Sequence, residues 1–167
     1  MKLDDLVIRP ADTVILLQSQ LFHSTFTVTE IDPYGKKFDR VSRITAKNES
    51  GNVEITLDVN TEIYPLQTHE KVSLALAANL SLDATFAGGD DAIAASSREA
   101  WRSGERSLAD DYDYVMYGKV YKYDDSGSAG KVTISASFGG LLLCISGEYR
   151  QLQDLNTGMN IYLLMKK

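Results

Sequence analysis

The 167 residues and 18.4 kDa of this chain, 44% hydrophobic and 24% charged, match one globular domain. A chain this long buries roughly 70% of the surface its unfolded form exposes, which excludes collagen, coiled coil and wholesale disorder as descriptions of the whole. The net charge of -6 and pI near 4.9 argue against a chain that grips a phosphate backbone unaided, because non-specific nucleic-acid affinity comes from Lys and Arg neutralising phosphates.

In chain order, residues 25–31 and 38–46 read as the first two strands. Phe38, Val41 and Ile44 break strict alternation and predict a bulge or bend in the second. Val53, Ile55, Leu57 and Val59 alternate with Glu54, Thr56 and Asp58. Val72, Leu74, Leu76, Ala78 and Leu80 alternate with Ser73, Ala75, Ala77 and Asn79, so both runs are half-buried strands. Further strands are expected at 112–123, 131–138, 141–146 and 160–165, with one short helical stretch, EYRQLQDL at 148–155, before the last.

Turn chemistry separates these runs. Asp32-Pro33-Tyr34-Gly35 suits a tight turn, NESGN at 48–52 and DDSGSAG at 124–130 suit hairpin loops, and Gly139-Gly140 suits a two-residue hairpin. About eight short antiparallel strands, with no βαβ alternation, must bury their apolar face on themselves. The predicted fold class is therefore all-β, an antiparallel barrel.

One segment interrupts the series. Residues 82–110 form a 29-residue stretch of low apolar content, with six acids against three bases. Ser96 and Glu99 have capping-box spacing, Arg98, Arg102 and Arg106 would share a face of a short helix, and Trp101 is the only tryptophan. A mobile surface loop with one anchoring aromatic and a partner-contacting loop both fit, since long loops are usually functional or disordered.

Chemistry-bearing patterns are absent. His23 and His69 lie far apart, without cysteine or carboxylate neighbours at zinc-ligand spacing. No P-loop, nucleophile elbow or dinucleotide fingerprint occurs. The carboxylate pairs Asp110-Asp111 and Asp124-Asp125 would point to opposite strand faces. Cys144, the single cysteine, is expected as a buried apolar thiol in GLLLCISG, and a reducing compartment fits. No enzyme activity, metal or cofactor is expected. The N-terminus has acidic residues where a signal peptide needs positive ones, and no stretch approaches the ~20 apolar residues of a membrane span, so a soluble protein without a membrane partner is expected.

ADDYDYVMYGKVYKYDD at 109–125 concentrates five of the nine tyrosines. Alternation places Tyr112, Tyr114 and Met116 on one face and Val115, Tyr117, Lys119, Tyr121 and Tyr123 on the other, with Gly118 marking a close backbone approach or a bend. One face packs in the core. The other is exposed, covered by the long loop, or covered by a partner. Tyrosines interleaved with Lys119 suit stacking on a single-stranded nucleic acid; tyrosine-rich faces also suit protein docking, which the acidic pI favours.

FTVTEIDPYGKKFDRVSRI (26–44), ITLDVNTEIYPL (55–66), SLADDYDYVMYGKVYKY (107–123), SFGGLLL (137–143) and YLLMKK (162–167) resemble, in order and spacing, the small subunit eight shared by the eukaryotic nuclear RNA polymerases I, II and III. The resemblance implies an eight-stranded, OB-like antiparallel barrel with one long loop and at most a short helix. It implies a non-catalytic structural and assembly subunit that docks on the largest subunit, in the nucleus including the nucleolus, with no direct nucleic-acid contact. The alternative reading is an autonomous OB-type single-strand nucleic-acid binder.

Partner-binding residues are then expected on the tyrosine strand and the following hairpin: Tyr114, Met116, Tyr117, Gly118, Tyr121, Phe138, Gly139, Gly140 and Leu141. The expected organisation is a single barrel domain over 21–167, preceded by a poorly ordered extension, or gene-model artefact, at 1–20. The chain departs from the family where LFHSTF at 21–26 replaces a more acidic LFDDIF, at Ser103-Gly104 and at Cys144.

Overall fold

The computed structural model describes residues 20–80, 107–125 and 130–167. Eight antiparallel strands form it: β1 (Gln20–Ile31), β2 (Val41–Asn48), β3 (Glu54–Asn60), β4 (Lys71–Ala77), β5 (Tyr114–Asp124), β6 (Lys131–Phe138), β7 (Leu141–Glu148) and β8 (Asn160–Lys166). They close into a barrel in the order β1-β2-β3-β7-β6-β5-β8-β4, and closure leaves no free sheet edge to recruit another chain. The OB-like all-β architecture is as expected. Met1 to Ser19 and the helical features expected around Ser96, Glu99 and Trp101 lie outside the described residues.

Of the bulge or bend expected over 38–46, the bend is present at residues 38–40, ahead of the strand, and β2 itself has no bulge. β2 pairs with β3 in unbroken register from Val41↔Asn60 to Lys47↔Glu54. Phe38 precedes the strand and is exposed, while Ser42, Ile44 and Ala46 face inward, so a buried serine had hidden the alternation. A register shift does fall in β1, between Val28 and Glu30. There β1 leaves β4, its partner up to Thr27, and continues along β2. The extra residue lets one strand bend to serve both neighbours.

The inner faces of all eight strands pack one core around Phe26, Ile44, Ile55, Leu74, Ile134 and Ile145, all fully buried. A buried aliphatic side chain of this kind contributes about 1.5–3 kcal/mol. The predicted helix at 148–155 shrinks to one turn, α1 (Tyr149–Leu152), which swings Leu152 and Leu155 inward. Both are buried in the core and plug that end of the barrel. At the opposite end Tyr64 stacks on Tyr114, ring centroids 5.2 Å apart. Lys167 bolts that end, donating through its backbone N–H to Asp113 (3.2 Å) and through Nζ to the Pro65 carbonyl (2.6 Å), and pairing with Glu70 (2.8 Å).

A second apolar cluster lies outside the barrel. A 3-10 turn, Leu108–Asp111, precedes β5, opened by the Ser107 N–H donating to the Asp110 carboxylate (2.7 Å) and by the Leu108 N–H donating to the Leu80 carbonyl (2.9 Å). Leu108 covers the outer side chains Ala75, Ala77, Tyr162 and Leu164. That cover explains why Ile161 to Met165 are buried without alternation: Ile161, Leu163 and Met165 fill the barrel, and Tyr162 and Leu164 lie under the turn. The expected Cys144 burial is corrected, because alternation in β7 turns Leu143 and Ile145 inward and Cys144 outward, where it is half-buried opposite Thr56 and Ser135.

Candidate functional site

β5 carries the residues singled out from the sequence, and its two faces do different work. Tyr114 is an inward residue, 6% exposed. Its hydroxyl accepts from the Asn60 N–H (3.2 Å) and donates to the Met116 sulfur (3.1 Å), and burial pushes its pKa up. Met116 is half-buried beside it. Tyr114 and Phe138, 5% exposed, are therefore wall-forming side chains, placed behind the surface and not on it.

Gly118 also faces inward and resolves the choice between a bend and a close approach. A Cβ added there would overlap the Ser137 carbonyl and lie 2.7 Å from Phe138 Cδ1. Its value is the absence of a side chain, which lets β6 come close enough to β5 for the ladder beginning at Lys119↔Ser137.

Outward, Val115, Tyr117, Lys119 and Tyr121 line one side of β5, with Tyr117 40% and Tyr121 50% exposed. Tyr117 is not loose: its ring lies 4.7 Å from that of Tyr162, so the edge of the outer cluster holds it in place. A register shift between Val120 and Lys122 ends the row. It sets Tyr123 opposite buried Ile134 instead of beside Tyr121, so the face expected from strict alternation to run on to Tyr123 stops at Tyr121.

Ser137 of β6 pairs with Lys119 on one side and with Leu142 of β7 on the other, extending the surface sideways to exposed Leu142. Gly139 and Gly140 make the hairpin turn with φ of +64° and +102°, the conformation a two-residue turn demands and side-chain-bearing residues resist. Leu141 is half-buried behind them.

Beneath Leu142 sits a thoroughly satisfied charge. Asp58, 8% exposed, accepts from Arg43 Nε (2.7 Å), Arg43 Nη2 (3.0 Å) and the Leu142 N–H (3.1 Å), tying β2, β3 and β7 together. The hydrogen bond to Asp58 raises the Arg43 pKa. Sequence reading passed over Leu142 as a surface residue, although alternation from inward Leu143 points it outward, and left Val115 out of the expected contacts. It passed over Asp58 because its partners lie 15 and 84 residues away.

The arrangement offers shape, tyrosine hydroxyls and aliphatic area. Among the described residues no group of three or more His, Cys, Asp or Glu is placed to hold a metal ion. His23 on β1 has its pKa lowered by burial and then by Lys166, so it is neutral at physiological pH.

Comparison with known proteins adds to this geometry. The family model described as RNA polymerase Rpb8 matches residues 23–167. A Dictyostelium discoideum protein named DNA-directed RNA polymerases I, II, and III subunit rpabc3 is 45% identical over 151 residues, covering 90% of this chain and 99% of that protein. The Saccharomyces cerevisiae RPABC3 subunit of polymerases I, II and III is 38% identical, covering 90% of this chain and all of that protein (100%). A Caenorhabditis elegans protein named as probable RPABC3 is 43% identical over 88% of this chain and 95% of its own length.

Proposed function

The chain belongs to the RNA polymerase Rpb8 family, and from that premise we propose that it is a non-catalytic structural and assembly subunit of DNA-directed RNA polymerases I, II and III, docked on the largest subunit. Its relatives are named as a subunit shared among these enzymes, which supports a place of work in the nucleus and, with polymerase I, in the nucleolus.

The observation that carries the docking role is the outer face of β5. Exposed Val115, Tyr117, Tyr121 and Leu142 make a tyrosine-rich surface on a barrel wall, with no reactive constellation beside it among the described residues. Tyrosine supplies large contact area with little side-chain entropy to lose, and interface hot spots are enriched in it. Within the expected partner-binding set, Tyr117 and Tyr121 make the direct contacts, and the Gly139-Gly140 turn lets the partner approach the backbone. Tyr114, Met116, Gly118 and Phe138 hold that surface in shape from behind, and Leu141 lies at its edge beside the turn.

Affinity purification tests the proposal. Tagged full-length chain, expressed in its own cells, is expected to bring down the catalytic subunits of all three polymerases. Purified chain that captures none of them refutes it.

A further inference from the structure

A large concavity lies where the Gly139-Gly140 turn faces the loop joining β1 to β2. Between them is a groove of about 550 Å³, the size of a pocket that takes a small molecule or a few side chains. Tyr34 and Phe38 from the loop and Leu141 from the hairpin supply its apolar lining. Tyr34 is 86% exposed and Phe38 68%, so neither aromatic is sheltered by the chain's own core. Two large exposed aromatics bordering one concavity leave apolar area that a partner could cover.

The charges lining the groove point to its occupant. Its carboxylates are already engaged: Asp58 accepts three hydrogen bonds, two from Arg43 and one from the Leu142 N–H, and Asp32 Oδ1 accepts from the Arg43 backbone N–H (3.0 Å). Its cations are less so. Among the described residues Lys37 has no carboxylate within ion-pair reach, and Arg43 spends Nε and Nη2 on Asp58, which leaves Nη1 without an acceptor. What the groove offers a visitor is therefore an apolar slot beside one unpaired ammonium, Lys37, and one spare guanidinium donor, Arg43 Nη1.

We infer that this groove seats an extended segment of a partner polypeptide in which an aromatic or large aliphatic residue adjoins an Asp or Glu. The apolar side chain enters between Tyr34, Phe38 and Leu141, and the carboxylate meets Lys37 and Arg43 Nη1. The inference rests on the chain being a polymerase subunit, so the segment belongs to the polymerase. The same Gly139-Gly140 turn borders the outer face of β5 and makes the groove continuous with the docking surface proposed above. A nucleic acid fits less well, because a phosphate backbone is gripped by several neutralising cations and the lining has one that is unpaired, Lys37.

The test places a photoreactive p-benzoylphenylalanine at position 38 of tagged full-length chain, with the same probe at Tyr149, at the α1 end of the barrel, as control. After irradiation of the assembled polymerase, cross-linked peptides are mapped by mass spectrometry. The expected result is a cross-link from position 38, absent from position 149, to a polymerase peptide with an aromatic or aliphatic residue beside an acidic one. Its yield should fall about tenfold with K37E, the loss expected of one charge-assisted contact.

Co-purification of the polymerase without that cross-link, a cross-link to nucleic acid or to a peptide lacking an acidic residue, or a yield indifferent to K37E overturns this inference alone. Failure of the unmodified chain to co-purify with any polymerase overturns the functional reading and this one with it. Lys37 and Phe38 are exposed, so neither change threatens folding, and an unaltered melting curve checks this.

Discussion

Gly118→Ala tests most directly how the docking strand is built. The added methyl would overlap the Ser137 carbonyl and come within 2.7 Å of Phe138 Cδ1. Relief requires moving β6 away from β5, at the point where their ladder starts with Lys119↔Ser137. Overpacking of a tight core costs about 1–3 kcal/mol, and an obstacle made of backbone places this case near the top, about 3 kcal/mol. For a chain of this length that lowers Tm by roughly 6–12 °C.

Urea unfolding of the isolated protein, followed by circular dichroism, measures the effect, and a lower midpoint at constant slope is expected. Gly51→Ala is the contrast. Its φ is +72° and nothing lies within 4 Å of the added carbon, so only the conformational cost of about 1 kcal/mol applies. Adding Phe138→Leu to the Gly118 variant should not restore stability, because the carbonyl remains in the way. A Gly118→Ala protein within about 0.5 kcal/mol of wild type would refute the close-approach argument, and a full rescue by Phe138→Leu would show that the ring is the true obstacle.

Three other outcomes are expected from named contacts. Tyr117→Ala should weaken association with the polymerase by about 2 kcal/mol as an interface hot spot, read by quantitative co-purification; a large drop in Tm of the isolated chain with binding intact would instead assign Tyr117 to the outer cluster with Tyr162. Asp58→Asn removes the carboxylate that Arg43 and the Leu142 N–H share, and should cost about 2–3 kcal/mol of unfolding free energy, below the full penalty for a broken buried pair because Arg43 is half-exposed. Tyr64→Phe should be neutral or stabilising at pH 7, since the buried Tyr64 hydroxyl has no hydrogen-bond partner among the described residues. The same variant tests alkaline behaviour: burial first, then Asp113 and Glu70, pushes the Tyr64 pKa up to about 12, above its unfolded value of 10.0. Stability from the neutral hydroxyl is thus fully present below pH 10 and lost as pH rises through 12, so wild type should lose more stability than Tyr64→Phe across that window.

Strand count, strand order along the chain and most strand boundaries were legible because a strand with one dry face writes its period into the sequence. Val132, Ile134 and Ala136 facing inward between Lys131, Thr133 and Ser135 need no tertiary knowledge. The same rule placed Tyr117 and Tyr121 on the face opposite Tyr114. It failed where a local exception cancelled the period: a buried Ser42 disguised β2, and the shift at Val120 moved Tyr123 off the face it was assigned to. Burial of Ile161 to Met165 on both faces was illegible for a different reason, since it depends on Leu108 arriving from elsewhere in the chain to cover the outside.

The sequence alone determined that this is an all-β barrel of antiparallel strands with a tyrosine-rich fifth strand, and its motifs carried the family. Those properties are local, set by side-chain alternation and turn residues a few positions apart. Only the tertiary structure decided that β1 and not β2 carries the bulge toward its neighbours, that Gly118 is an empty space demanded by Ser137, and that Asp58 joins three strands. It likewise brought Phe38 and Tyr34 up against a hairpin about a hundred residues later. Such facts depend on which strands become neighbours when the barrel closes, and that pairing is selected by the packing of the whole core.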